Sequence, residues 1–74
     1  MAEERIVLPS GKSSWPELVF VESSIAVHLI QRDRPDVKPI VLLAGSRITE
    51  ELNLTRVRVI VNIKNKVVEE PIVG

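Results

Sequence analysis

Residues 40–61 read IVLLAGSRITEELNLTRVRVIV, and this stretch decides how the chain folds. It opens with an apolar run at residues 40–43 and closes with alternating arginines and β-branched residues at 56–61, both typical of β-strands. The connection between them, residues 45–55, is too long for a tight hairpin and lacks an Asn-Gly or Asp-Gly pair. It contains only one glycine, so it does not resemble a flexible linker. The pattern predicts a long, extended, exposed loop, where a small domain usually carries its binding function.

One amphipathic helix is predicted before this stretch, from Val21 to Arg34. Pro35 ends it, because proline cannot continue a helix. The apolar residues that recur at helical spacing are Val21, Ile25, Ala26, Leu29 and Ile30. Helical and strand periodicity together predict a core centred on Ala26, Ile30, Val57 and Val59. Trp15 is expected to cover one end of that core.

The remaining segments are predicted to complete a sheet. Residues 37–43 form a strand buried on both faces for part of its length, with Pro39 at an edge or a bulge because proline has no N–H to donate. In the next strand, Val57, Val59 and Val61 point to one face and Arg56, Arg58 and Ile60 to the other. A turn over residues 62–66 leads to a short strand at residues 67–68, and the chain leaves at Pro71.

Composition limits the chain to one small domain. Residues 1–11 are predicted to form a flexible N-terminal arm and residues 12–74 the folded unit. Ten basic and ten acidic residues balance, so there is no electrostatic argument for a nucleic-acid partner. No apolar run reaches membrane-spanning length, and without cysteine there is no disulfide framework. We therefore expect a monomer with no cofactor, no nucleic-acid partner and no membrane association.

The start of the chain is charged and is not followed by a long apolar segment, so no secretory signal peptide is visible. Mature numbering or an added methionine would hide such a signal. The compartment therefore stays open, with the cytoplasm favoured.

The sequence does not support catalysis by the chain itself. His28, the only histidine, lies off the apolar stripe of the helix and is expected in solvent, with no nucleophile beside it. One histidine without cysteine does not make a metal site. Glu50 and Glu51 are adjacent, so on an extended chain they face opposite ways and do not form an acid–base pair.

Arg56 and Arg58 follow the loop directly and share one face of the predicted strand. Their guanidinium groups have donors that can reach back to Glu51, to the Thr49 hydroxyl and to loop carbonyls, and so hold the loop without a disulfide. The alternative is a row of exposed arginines beside solvated glutamates, where each surface ion pair contributes about 0–1 kcal/mol. Residue chemistry alone leaves both interpretations open.

From Lys12 to Gly74 the sequence resembles the potato inhibitor I family of serine protease inhibitors. The motifs that carry the resemblance are Trp15–Val19, Asp33 with Pro35, Gly45-Ser46, Thr49-Glu50-Glu51, Arg56–Val59 and Pro71–Gly74. The resemblance implies an α+β fold, with one helix packed on a mixed sheet and a long exposed inhibitory loop joining two parallel strands. A connection too long for a hairpin agrees with a parallel pair.

The resemblance also implies roles for the loop residues. Glu50 would fill the primary specificity position, and Glu50–Glu51 would be the reactive-site bond. The residues that would brace the loop are Thr49, Glu51, Arg56 and Arg58, and those that would contact the protease are Ser46, Arg47, Ile48, Thr49, Leu52 and Asn53. The implied mechanism is substrate-like, in that the loop enters the protease cleft as a strand. The rigidity of the loop lowers the ordering cost of binding.

The chain departs from the family's usual pattern at several positions. Phe20 stands where the family usually has a glycine, Glu50 replaces a large apolar or basic residue, and Arg47 replaces an apolar side chain common in subtilisin-directed loops. The resemblance therefore implies an inhibitor of serine endopeptidases that are glutamyl-specific or subtilisin- or chymotrypsin-like. The alternative is a non-inhibitory interaction module that kept the scaffold and lost its protease partner.

Overall fold

The computed structural model describes residues 12–74, and the predicted arm at residues 1–11 lies outside them. A 3-10 turn at Pro16–Leu18 precedes helix α1 at Ser23–Asp33 and the strands β1 at Lys38–Leu43, β2 at Arg56–Val61 and β3 at Ile72–Val73. The strands form one sheet in the order β1-β2-β3, with β1 parallel and β3 antiparallel to β2. The predicted α+β architecture is therefore confirmed, including a long loop between parallel strands.

Helix α1 packs on the sheet through the side chains of Ala26 and Ile30, which have no exposed surface. It begins later than predicted, because Glu22 at its N-terminus has an extended backbone with φ −66° and ψ 143°. Ile25 is 53% exposed, so its place in the predicted apolar stripe is wrong. One residue along a helix is a rotation of about 100°, which turns Ile25 from the sheet to solvent when Ala26 faces it. Among residues 12–74, no helix is long and apolar enough to cross a membrane.

The core lies between α1 and one face of the sheet. Its predicted centre is confirmed, because the side chains with no exposed surface include Ala26, Ile30, Val57 and Val59. Trp15 lies inside this core and does not merely cover one end of it. Its indole N–H donates to the Asp33 carboxylate at 3.0 Å, and that bond lowers the pKa of Asp33. The N-terminal part of the described chain is thereby fixed to the end of α1.

Among residues 12–74, strand β1 lies at the edge of the sheet. The prediction of a strand at residues 37–43 that is buried on both faces for part of its length is wrong, because no residue of β1 is buried. Val41 and Leu43 are 44% and 50% exposed. The N–H groups of Lys38 and Ala44 donate toward β2, at 2.7 Å each. By alternation, the ring nitrogen of Pro39 points away from β2, where its missing N–H interrupts no ladder. The predicted edge position of Pro39 is confirmed.

The chain after β2 differs from the prediction. The turn over residues 62–66 is present, with the Asn62 N–H donating to the Lys66 carbonyl at 2.9 Å. Val67 forms only an isolated bridge with Val61, and no strand occupies residues 67–68. The third strand is β3, directly after Pro71, which was expected to mark the exit of the chain. A two-residue strand is too short to show periodicity in the sequence.

Phe20 adopts a left-handed backbone conformation, with φ +74°. Its side chain is 77% exposed, so little packing compensates for this conformation. Its N–H donates to the Val67 carbonyl at 2.7 Å, which holds the backbone in place. Glycine adopts this conformation without steric cost, which gives a physical reason for the glycine expected at this position.

Candidate functional site

The candidate site is the loop at residues 44–55, which joins β1 to β2. Because these strands are parallel neighbours, the loop must return from the far end of β1 to the near end of β2. It leaves β1 through a turn in which the Ser46 N–H donates to the Leu43 carbonyl at 3.0 Å. Gly45 has φ +90° in this turn, a conformation that a side chain would disfavour. Residues 46–53 then run without helix, strand or turn and are all exposed.

Arg58 supports the loop on the N-terminal side of Glu50. Its Nη2 atom donates to the Thr49 carbonyl oxygen at 2.6 Å and to the Thr49 Oγ1 atom at 3.1 Å. One guanidinium nitrogen on β2 therefore holds both the backbone and the side chain of Thr49. These two contacts hold the loop to β2 at Thr49, immediately before Glu50.

Arg56 supports the loop on the other side of Glu50. Its Nη1 atom donates to Oε2 of Glu51 at 3.1 Å, and its Nη2 atom donates to the Glu51 carbonyl oxygen at 2.9 Å. Its Nε atom donates to the Gly74 carbonyl oxygen at 2.9 Å. Arg56 is only 9% exposed, and all three of its side-chain nitrogens have partners. A buried guanidinium satisfied in this way is part of the fold as well as a support for the loop.

The Glu51 carboxylate is held in its charged form. Hydrogen bonding from the Thr49 hydroxyl, from its own backbone N–H and from Arg56 lowers the pKa of Glu51 to about 2. A hydroxyl both donates and accepts, so Thr49 can receive a bond from Arg58 while it donates to Glu51. The two arginines, Thr49 and Glu51 therefore form one connected network beneath the loop.

Glu50 lies between the two supported residues and is itself exposed. None of the hydrogen bonds or ion pairs found within residues 12–74 involves its carboxylate; they end on its neighbours. The carbonyls of Thr49 and Glu51 both point at the arginines beneath. Glu50 is therefore an exposed residue between two neighbours that are held to the sheet.

Most of the other residues expected at the contact surface are exposed, but the side chain of Asn53 is bonded within the loop. Ile48 and Leu52 are 44% and 75% exposed, and Ser46 and Arg47 are also exposed. The side chain of Asn53 turns back on the loop, where its Oδ1 atom accepts a bond from the Thr55 hydroxyl at 2.7 Å. An asparagine two residues before a threonine is a turn signal that the sequence analysis missed. Leu54, which was not among the expected contacts, is 64% exposed.

His28 is exposed on α1 and takes no part in the loop. Within the described residues 12–74, no group of three or more histidine, cysteine, aspartate or glutamate side chains could hold a metal ion.

Comparison with known proteins places these features in a wider context. Residues 9–74 match the model of the Potato inhibitor I family. The chain is 44% identical over 64 residues to the inhibitor of trypsin and Hageman factor from Cucurbita maxima, covering 86% of this chain and 94% of the relative. It is 36% identical over 64 residues to the Glu S. griseus protease inhibitor from Momordica charantia, with coverage of 86% and 94%. The crystal structure of bitter gourd trypsin inhibitor is similar with a TM-score of 0.85 and 38% identity, covering 86% of this chain and 94% of that chain.

Proposed function

This chain belongs to the potato inhibitor I family, and from that membership we propose that it inhibits serine endopeptidases through the loop at residues 46–53. The proposal rests on one arrangement in particular. Arg58 holds Thr49, Arg56 holds Glu51, and Glu50 between them is exposed. A loop supported on both sides of one exposed residue can enter a protease cleft as a strand at low ordering cost.

The same supports explain how the loop would resist the enzyme that it binds. Cleavage at the proposed reactive-site bond breaks the bond between the Glu50 carbonyl carbon and the Glu51 nitrogen, transfers the Glu50 acyl group to the serine oxygen of the protease and leaves a free amine on Glu51. Arg56 keeps Glu51 in place through two bonds, and Arg58 keeps Thr49, the neighbour of Glu50, in place through two more. The new amine therefore stays beside the carbonyl from which it was released, and holding two reactants in position strongly favours their recombination. Product release becomes slow, and the enzyme stays occupied.

The side chain at the primary specificity position determines which proteases are inhibited, because central residues dominate interface energies. We infer that the target accepts glutamate. An ionised Glu50 that entered an apolar pocket would lose its water and gain no cation, at a cost of several kcal/mol. A pocket with a basic or hydrogen-bonding floor would instead bind the charge. This specificity is supported by the relative from Momordica charantia, which is named Glu S. griseus protease inhibitor.

The non-inhibitory alternative receives less support. The basis for this alternative is that Arg47 and Glu50 both depart from the usual family pattern, as expected if the protease partner had been lost. The named relatives are inhibitors, and the network of Thr49, Glu51 and the two arginines supports the very residues that an inhibitor would need to hold. No feature of residues 12–74 requires a different partner.

A panel of inhibition constants tests the proposal, measured against glutamyl-, trypsin-, chymotrypsin- and subtilisin-type proteases. We expect the tightest inhibition of the glutamyl endopeptidase. Mass spectrometry of the inhibitor recovered after long incubation should show one slow cut, between Glu50 and Glu51. Failure to inhibit any of the four classes, or a first cut outside residues 46–53, would contradict the proposal.

A further inference from the structure

The C-terminal arm of the loop is organised around the side chain of Asn53. Its Oδ1 atom accepts hydrogen bonds from the Thr55 N–H at 3.0 Å and from the Thr55 hydroxyl at 2.7 Å. The Asn53 carbonyl oxygen also accepts a bond from the Arg56 N–H at 3.2 Å. An asparagine side chain bonded to its own backbone two residues on is a recurring way to close a turn. These three bonds make a compact turn immediately before β2.

This turn is what allows Arg56 to reach Glu51. Arg56 follows Glu51 by five residues, and five residues of extended chain span about 17 Å. An arginine side chain cannot cover that distance, so the chain between them must fold back. The turn is anchored to the sheet, because the Thr55 carbonyl accepts a bond from the Lys38 N–H at 2.7 Å. Asn53 thus lies at the bend that brings the Arg56 guanidinium under the loop.

We propose that Asn53 is a positioning residue of the reactive site, whose amide oxygen fixes the turn that places Arg56 on Glu51. This inference rests on the proposed function. It changes the role first expected for Asn53, because an amide oxygen that already accepts two bonds within the loop contributes little to direct contact with a protease. Asn53 affects inhibition through the contacts of Arg56 with Glu51, without touching the protease itself.

Asparagine 62 supplies a matched control. Its Oδ1 atom also accepts two bonds from within a turn, from the N–H groups of Lys64 at 2.9 Å and Lys66 at 3.0 Å. That turn lies after the end of β2, whereas Asn53 lies before its start. Asn62→Ala therefore removes the same kind of interaction at the opposite end of β2, outside the loop.

The test compares Asn53→Ala, Asn53→Gln, Asn53→Asp and Asn62→Ala in the full chain. Loss of one or two hydrogen bonds should weaken inhibition roughly 2- to 150-fold in Asn53→Ala. Asn53→Gln should be weakened similarly, because the amide is kept but the longer side chain cannot close the turn. Asn53→Asp keeps the acceptor oxygen and should restore most of the inhibition. Asn62→Ala should inhibit like the wild type.

The second readout does not depend on a protease. NMR titration of the Glu51 carboxyl should show its midpoint raised in Asn53→Ala and Asn53→Gln, and unchanged in Asn62→Ala. If the wild type inhibits no protease, the proposed function fails, but this titration still decides the role of Asn53. The inference is overturned if Asn53→Ala leaves the Glu51 midpoint where Asn62→Ala leaves it, or if Asn53→Gln inhibits as well as the wild type.

Discussion

One side chain, Arg56, binds both the carboxylate and the carbonyl oxygen of Glu51, at 3.1 Å and 2.9 Å. Arg58 makes a matching pair of contacts to Thr49, but the surroundings of the two arginines differ. Arg56 is buried and also bonded to the Gly74 carbonyl, whereas the bonds of Arg58 to Thr49 are exposed. We therefore expect Arg56 to contribute to both folding and inhibition, and Arg58 mainly to inhibition.

Arg58→Ala should weaken inhibition with little effect on the fold. Hydrogen bonds from a charged group contribute about 1.5–3 kcal/mol, so loss of the Thr49 contacts corresponds to inhibition weakened roughly 10- to 100-fold. Cleavage between Glu50 and Glu51 should become faster, while the free energy of unfolding changes by less than about 1 kcal/mol. Arg58→Lys, which keeps the charge but not the planar fork, should recover only part of the loss. Equal inhibition and equal resistance to cleavage in Arg58→Ala would show that Arg58 does not support the loop.

The network beneath the loop should persist in moderate acid. The pKa of Glu51 is about 2 in the fold against an ordinary value of 4.5, so its contribution is fully present above pH 4.5 and disappears as the pH falls through 2. NMR titration should give a Glu51 midpoint near 2. Thr49→Ala should raise that midpoint, because hydrogen bonding from Thr49 is the largest cause of the lowered pKa. A wild-type midpoint near 4.5 would contradict the network.

The core offers a matched pair of isoleucines on α1. Ile30 has no exposed surface, and Ile25 is 53% exposed. Ile30→Ala should lower the free energy of unfolding by about 2–5 kcal/mol, because it leaves a cavity against the sheet. Ile25→Ala removes the same atoms from an exposed face and should cost less than about 1 kcal/mol. Denaturant unfolding of both variants checks this assignment of the helix face, and equal losses would refute it.

Phe20 should be a position where glycine stabilises the protein. With φ +74° and an exposed ring, Phe20 has conformational strain without compensating burial. Left-handed backbone costs a residue with a side chain about 1–2 kcal/mol, and part of the relief is offset by the greater freedom of glycine in the unfolded chain. Phe20→Gly should therefore be more stable than Phe20→Ala by about 1 kcal/mol. Thermal unfolding of the two variants measures the difference, and a less stable glycine variant would exclude strain at this position.

The elements that the sequence predicted are those with a strong local pattern. Three patterns can be recognised in the sequence without knowledge of tertiary contacts: the spacing of Ala26 and Ile30, the alternation from Val57 to Val61 and the length of the loop. The edge position of β1 made its burial unpredictable, because strand order is a property of the whole sheet. The two residues of β3 carry no periodic signal.

At the site, the sequence was compatible with two arrangements of Arg56 and Arg58. Their guanidinium groups could bond to Glu51 and Thr49, or they could lie exposed in solvent. The sequence could not decide between these possibilities, because the contacts depend on how the loop returns to the sheet. The turn at Asn53 has a local signal in Asn53 and Thr55, but its effect on Arg56 depends on how that turn attaches to the sheet. The attachment is the anchoring of Thr55 to Lys38.

The central claim is that Glu50 enters the specificity pocket of the protease. The most direct test is the pair of inhibition constants of the wild type and of Glu50→Leu, each against one chymotrypsin-like protease with an apolar pocket and one glutamyl endopeptidase. In the apolar pocket, leucine avoids the desolvation cost of the Glu50 carboxylate. In the glutamyl enzyme, leucine lacks the negative charge that the pocket would bind. We predict that Glu50→Leu inhibits the chymotrypsin-like enzyme much more tightly than the wild type and the glutamyl enzyme much more weakly. Tight wild-type inhibition of the chymotrypsin-like enzyme that leucine fails to improve would contradict the position assigned to Glu50.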